Sequence, residues 1–250
     1  MTIFLIEPDI NGLMCALFKS FTEKIYPYRV HSAYSFIQAE INADMVRIET
    51  DKAQAERVKK ALLKYGGDNT VYQLRVCLMS RDKDAFTHAF CYAHKMLNER
   101  RNVSEDLCDV FVSNFFYTLQ KVQNERHRMH GFLRFSETVK GVLYAPYTPD
   151  NDITELIAPH FLERLPGIPF VIHDLNRNRI AISDGYRLKF GYTSLKPNVR
   201  LSQKEQAFSD LWKRYFNTVN IPERKNLRQQ NNYMPKRYRA HMPETWENYP

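Results

Sequence analysis

The pattern of apolar and polar residues changes near the middle of the chain. Before about residue 130, apolar residues recur mainly three or four positions apart, which predicts helices. Short apolar runs at 3–6 and 45–49 predict strands, with a helix over about 10–23 between them. Asp51 and Gln54 form a capping-box start for the next helix, Gly66-Gly67 marks its end, and Ser104 is expected to open a later one.

After Gly131 the apolar residues alternate, which predicts strands. Segments 132–136 and 141–147 predict a hairpin, and a strand meander is expected at 170–174, 180–183 and 186–190. Capping pairs, Asp152 with Glu155 and Ser202 with Glu205, predict two helices between and after the strands. Pro159 is expected to kink or restart the first of these helices, and the chain is expected to be irregular after Pro222.

These patterns predict an α+β protein of two domains. Residues 1–130 are expected to be mostly helical with a few strands. Residues 131–250 are expected to form a domain with an antiparallel sheet, packed helices and a basic irregular tail. The boundary is placed at the change of periodicity.

Positive charge is concentrated near the C-terminal end. The 250 residues carry a net charge of +8, and residues 211–239 alone contain eight basic side chains against one acid, a local net of +7. Aromatic, Asn and Gln residues are interleaved with these cations. Because Lys and Arg neutralise phosphates and aromatic rings stack on bases, this composition favours nucleic-acid binding. A basic surface that binds an acidic protein is the alternative.

The remaining composition restricts the classes of function. Four widely spaced cysteines with no CxxC pair are expected to be reduced core residues, which argues against a zinc ribbon or iron–sulfur cluster held by this chain alone. Eight glycines form no phosphate loop or dinucleotide fingerprint, so no cofactor is expected. No apolar run is long enough for a membrane span and no signal peptide is evident, so a soluble cytoplasmic protein without a membrane partner is expected.

One group of side chains has the residue types needed for catalysis. Carboxylates and imidazoles at a helix entry and at a strand end could activate water, transfer a proton or bind a divalent metal. The same carboxylates are ordinary helix caps, and the imidazoles could be core residues. The candidates are Asp150, Asp152, His160, His173 and Asp174.

Six motifs in order carry a family resemblance. They are Gly131-Phe-Leu-Arg-Phe135, Pro149-Asp-Asn-Asp-Ile153, Ile157-Ala-Pro-His-Phe161, Ile172-His-Asp174, Leu211-Trp-Lys-Arg-Tyr-Phe216 and Met234-Pro-Lys-Arg-Tyr238. Together they resemble a bacterial family of DNA-repair or DNA-metabolism proteins, an uncharacterised domain. That family is encoded beside a radical-SAM protein of DNA modification and is sometimes fused to a uracil-DNA-glycosylase-like domain.

The resemblance implies an accessory protein that binds DNA and works with a radical-SAM partner. The chain departs from the family at Asn151, where His is frequent, and at Arg239, where an aromatic residue is common. It lacks glycosylase motifs, so a stand-alone glycosylase is not expected. It also lacks the radical-SAM cysteine triad, so any radical-SAM chemistry would belong to the partner.

Three functional hypotheses therefore follow from the sequence. The first is a DNA-binding accessory protein. The second is a metal-assisted or acid/base hydrolase of nucleic acid that acts through Asp150, Asp152, His173 and Asp174. The third is a scaffold that binds an acidic protein. For the first, the expected nucleic-acid-binding residues are Arg134, Lys213, Arg214, Arg224, Lys225, Arg228, Tyr233, Lys236, Arg237 and Tyr238.

Overall fold

The computed structural model describes residues 1–34, 43–194, 199–219, 221, 224 and 226–244. The chain divides into two compact units, residues 1–124 and 125–250. The division falls within one helix, α5 (Val110–Phe132).

The first unit combines a small parallel sheet with helices. Its strands pair in the order β2-β1-β3, and both pairs are parallel. The mostly helical character expected for this region is confirmed. Besides the first part of α5, its elements are β1 (Thr2–Ile6), α1 (Ile10–Glu23), β2 (Arg29–Ser32), β3 (Asp44–Arg47), α2 (Lys52–Gly66), α3 (Asn69–Leu78) and α4 (Ala85–Glu99).

Local capping explains where the early helices begin and end. Asp9 accepts a hydrogen bond from the backbone N–H of Gly12 at the start of α1. Asp51 does the same for Gln54 at the start of α2, and Gly67 ends that helix with a φ of +82°. The predicted limits of α2 are confirmed because the capping side chain and the glycine act where the sequence places them.

The predicted start of α5 at Ser104 is wrong. The helix begins at Val110, because the carboxylate of Asp109 accepts hydrogen bonds from the N–H groups of Phe111 and Val112. Leu107, which lies between the predicted and the observed start, is exposed. The strand β2 and the helix α3 were not predicted, since neither segment has a strong periodic pattern.

The second unit is built on a five-stranded sheet. Its strands pair in the order β4-β5-β6-β7-β8. They are β4 (Ser136–Glu137), β5 (Leu143–Tyr147), β6 (Phe170–Asp174), β7 (Arg179–Ser183) and β8 (Leu188–Tyr192). The α+β class is confirmed. The sheet is mixed rather than wholly antiparallel, because β5 and β6 are parallel and α6 (Thr154–Arg164) forms the crossover between them.

The predicted capping box at α6 is wrong. The helix is capped at Ile153 without a side-chain hydrogen bond, and Asp152 and Glu155 both bind Arg179 on β7 instead. Pro159 lies inside the helix, so α6 does not restart there. An arginine on the neighbouring strand attracts both carboxylates more strongly than the helix terminus does.

The predicted irregular tail contains regular elements. After Pro222 the structure has α8 (Leu227–Tyr233) and a 3-10 helix (Lys236–His241), while α7 (Gln203–Val219) lies before this tail, where a helix was predicted. Ser202 accepts a hydrogen bond from the N–H of Glu205, as expected for the start of α7, and Asn226 caps α8. None of the helices in the described part of the chain is long and apolar enough to cross a membrane.

Gly12 in α1 and Gly131 in α5 provide a test of how closely the backbone is packed at these two positions. A Cβ atom added at Gly12 would lie 2.4 Å from the carbonyl oxygen of Glu7, whereas one added at Gly131 in α5 would have nothing within 4 Å. We expect Gly12→Ala to lower the free energy of unfolding by about 1–3 kcal/mol, because backbone must move. Gly131→Ala should be neutral or stabilise by up to about 1 kcal/mol. Chemical denaturation measures both, and equal effects would contradict the packing around Gly12.

Candidate nucleic-acid interface

A buried glutamate organises the second unit. Glu125, on α5, is 3% exposed and accepts four hydrogen bonds. The backbone N–H groups of Asp150 and Asn151 donate at 2.7 and 2.8 Å, and the Asn151 amide donates at 2.6 Å. The Tyr238 hydroxyl donates the fourth at 2.7 Å. The carboxylate therefore joins α5, the turn before α6 and the 3-10 helix.

Arginines bind the carboxylates that the sequence marked as catalytic candidates. Arg237 forms an ion pair with Asp150 at 2.9 Å, and Arg179 pairs with Asp152. Arg177 binds the buried Asp174 at 3.0 Å and donates to the backbone oxygen of Asp150. Asp150, Asp152 and Asp174 thus serve as ion-pair partners in the fold. Within the described ranges, no group of three or more His, Cys, Asp or Glu side chains could hold a metal ion.

His173 and Asp174 are adjacent on β6 and both are buried. The Tyr144 hydroxyl lies 2.9 Å from His173 Nδ1, while His173 Nε2 is buried without a hydrogen-bond partner among the described residues. Burial lowers the pKa of His173. Burial also raises the pKa of Asp174, although Arg177 opposes that shift. Burial thus disfavours the charged forms of both side chains.

His160 stacks on His130 of α5. The two ring centroids are 4.1 Å apart and the planes differ by 14°. Burial, together with the charges of His160, Arg126 and His127, lowers the pKa of His130 to about 4. The structure therefore places His160 in an imidazole pair, and the histidine it contacts is not one of the predicted catalytic residues.

The predicted nucleic-acid-binding residues fall into two groups. The first group is engaged within the protein. Tyr238 is 5% exposed and donates to Glu125, so little of its ring is accessible to a base. Arg237 pairs with Asp150 and lies over the Tyr238 ring. Arg134 pairs with the buried Glu244 at 2.6 Å. These two arginines have carboxylate partners, which reduces their availability to phosphates.

The second group lies at the surface. Arg214, Arg224, Arg228, Tyr233 and Lys236 are exposed, and Lys213 is half-buried. Lys225 lies outside the described residues. Tyr233, at 69% exposed, is the predicted stacking residue whose ring remains accessible.

Helix α7 exposes apolar side chains as well as cations. None of its residues is buried. Exposed Phe208, Leu211, Trp212 and Tyr215 follow the helical repeat, and Trp212 and Tyr215 are neighbours with ring centroids 5.7 Å apart. Amphipathic helices usually bury a stripe of this kind, whereas this one is exposed. We define the cationic–aromatic surface by Arg214, Arg224, Arg228, Trp212, Tyr215, Tyr233 and Lys236.

Glu125, Arg177 and Arg179 were missed as site residues. Glu125 lies in a polar stretch of α5, and its neighbours Asn124 and Arg126 suggest a solvated face. Arg177 and Arg179 follow β6 in a segment rich in Asn and Arg. The signal in the sequence that could have indicated these residues was the Asp150-Asn-Asp152 cluster. Carboxylates that become buried require hydrogen-bond donors or cations nearby.

Comparison with known proteins gives one family match. A family model described as a domain of unknown function, DUF4130, matches residues 83–244. The match includes α5, the sheet of the second unit, α7, α8 and the 3-10 helix. The comparison with curated proteins gave no match.

The Tyr238 hydroxyl should stabilise the docking of the 3-10 helix. Tyr238→Phe removes one donor to the buried Glu125, and we expect the free energy of unfolding to fall by about 1.5–3 kcal/mol. Trypsin should cleave faster after Lys236, Arg237 and Arg239. Tyr233→Phe, at an exposed ring, is the matched control and should change neither quantity. Unchanged proteolysis of Tyr238→Phe would contradict the docking role of this hydrogen bond.

The imidazole pair should make stability depend on pH. The pKa of His130 is lowered to about 4 from 6.5, so the unfolded chain binds this proton more readily than the folded chain does. The stability that neutral His130 provides is present above about pH 6.5 and is lost as the pH falls toward 4. We expect His130→Phe to lose less unfolding free energy between pH 7 and 4 than the unmodified chain. Equal pH profiles for the two proteins would refute the effect.

Proposed function

We propose that this chain, which belongs to the DUF4130 family, binds nucleic acid through its cationic–aromatic surface. The observation that carries the proposal is the exposure of cations and aromatic rings on the same elements. Trp212, Tyr215 and Tyr233 are 39%, 56% and 69% exposed, and Arg214 and Arg228 are exposed on the same two helices.

This combination suits single-stranded nucleic acid better than duplex. Cations that follow the phosphate backbone supply affinity without reading sequence. Aromatic rings stack on bases only where the bases are unpaired, and each stacked base contributes about 1–3 kcal/mol. Exposed rings and exposed arginines on the same helices provide both kinds of contact.

We further propose that the chain acts as an accessory protein in DNA repair or modification, with a radical-SAM protein as its partner. The motifs described above support this assignment through the family they resemble. In this proposal the partner carries out the chemistry, and this chain holds the DNA strand. The ion pairs of Asp150, Asp152 and Asp174 fit such a role, because they give those carboxylates a structural task.

The salt dependence of binding tests this proposal. We expect Arg214→Ala/Arg224→Ala/Arg228→Ala to weaken binding to a single-stranded oligonucleotide. The slope of log K against log salt should become shallower by about 2, because each phosphate that is no longer neutralised reduces it by roughly 0.7. Fluorescence anisotropy of a labelled strand between about 25 and about 200 mM salt measures this slope.

A control variant removes the same charge elsewhere. Lys52→Ala/Lys60→Ala/Lys83→Ala takes three exposed cations from the first unit and should leave the slope unchanged. Equal slopes for the two triple variants would remove the cationic–aromatic surface from the interface. Absence of strand binding at low salt, with binding to an acidic protein retained, would favour the scaffold hypothesis.

A further inference from the structure

A large, mostly apolar cleft lies between α7 and the edge of the sheet formed by β4 and β5. Its volume is about 940 Å³. Phe208, Trp212 and Tyr215 line it from α7, and Phe135 and Leu143 line it from the sheet side. The exposed apolar stripe of α7 therefore faces this cleft. The volume is ample for a nucleobase with its sugar.

Two carboxylates, those of Glu137 and Glu205, also line the cleft. Glu205 accepts a hydrogen bond from the backbone N–H of Glu137 at 2.7 Å. Ser202 donates its hydroxyl to the Glu137 carboxylate at 3.0 Å and its backbone N–H to the Glu137 carbonyl at 2.9 Å. These bonds join the start of α7 to β4. The second carboxylate oxygen of Glu137 and of Glu205 accepts no hydrogen bond from the described residues.

Arg134, Ser136 and Ser209 are the other polar residues that line the cleft. The contacts of Arg134 are defined. Its guanidinium lies 5.4 Å from the centroid of the Trp212 ring and is ion-paired with Glu244. Its charge is therefore largely balanced within the protein. Since Trp212 remains 39% exposed, its ring is accessible within a cleft that also presents one carboxylate oxygen each of Glu137 and Glu205 as hydrogen-bond acceptors.

We propose that this cleft binds an unpaired guanine base of a single strand, an inference that rests on the proposed function. Carboxylates repel phosphates, so Glu137 and Glu205 would contact the base rather than the backbone. A carboxylate accepts hydrogen bonds and donates none. Guanine presents two adjacent donors, N1–H and the N2 amino group, on its Watson–Crick edge, and Trp212 provides a surface on which the base stacks.

A neighbouring cation would hold the backbone outside the cleft. Arg214 is exposed on α7, three residues and about one helical turn after Leu211, which lines the cleft. A strand whose phosphates follow α7 can therefore insert one base into the cleft. This arrangement separates affinity, which comes from the arginines, from base preference, which comes from the carboxylates.

Three eight-nucleotide strands test the proposal. One contains a central guanine among thymines, one has hypoxanthine at that position and so lacks the N2 amino group, and one is thymine throughout. The protein carries Trp246→Phe, which leaves Trp212 as its one tryptophan of the two in the sequence. We expect the guanine strand to bind about five- to hundredfold more tightly than thymine and to quench Trp212 fluorescence, with hypoxanthine intermediate.

Three variants test whether the residues of the cleft cause the guanine preference. Glu137→Gln/Glu205→Gln should abolish the guanine preference while binding of the thymine strand is retained. Trp212→Leu should weaken the guanine strand most. Asp210→Asn removes an acid from α7 that does not line the cleft, and it should preserve the preference.

The outcomes separate the two proposals. Equal binding of the three strands without a change in Trp212 fluorescence would overturn the guanine site and leave nucleic-acid binding intact. Retention of the preference in Glu137→Gln/Glu205→Gln would also overturn it. Failure of every strand to bind at low salt would overturn both proposals.

Discussion

The second unit depends on one buried carboxylate. Glu125 lies in α5 at the beginning of this unit, and its charge would be costly in an apolar interior without donors. Four hydrogen bonds satisfy it, and they come from the turn before α6 and from the 3-10 helix. Asp150 and Arg237 form an ion pair beside it. The position of the C-terminal elements is thus linked to the helix that opens the unit.

This constraint explains why the predicted nucleic-acid-binding residues fall into two groups, one engaged within the protein and one at the surface. Tyr238 and Arg237 are held by Glu125 and Asp150, and Arg134 is held by Glu244. The cations and rings of α7 and α8 remain at the surface. A local net charge of +7 therefore overstates the charge available to a polyanion, because part of it is balanced inside the fold.

Sequence reasoning succeeded where the determining interaction was local. The limits of α2 follow from Asp51 and Gly67, and the strands β6, β7 and β8 follow from alternation. It failed where a distant partner decided the outcome. Asp152 does not cap α6 as expected, because its carboxylate binds Arg179, 27 residues later. The parallel pairing of β5 and β6 and the docking of Tyr238 likewise depend on contacts that no local pattern encodes.

The same limit applies to the candidate site. Residue types near α7 identified a cationic and aromatic composition, but the burial of Tyr238 and the cleft beside Trp212 follow from tertiary packing. Glu137 had no distinguishing signal in the sequence, and Glu205 was identified there only as a helix-capping residue. Their proximity becomes evident when β4 and α7 are joined.

The separation between Glu125 and Tyr238 also has a consequence for biosynthesis. These residues are 113 positions apart, and Arg134 and Glu244 are 110 apart. A ribosome delivers Glu125 long before its last donor, so a nascent chain holds this carboxylate with an incomplete set of partners while the sheet assembles. Translation arrested before Tyr238 would leave the unit without its final hydrogen bond to Glu125, and quality-control proteases preferentially degrade incompletely packed domains of this kind.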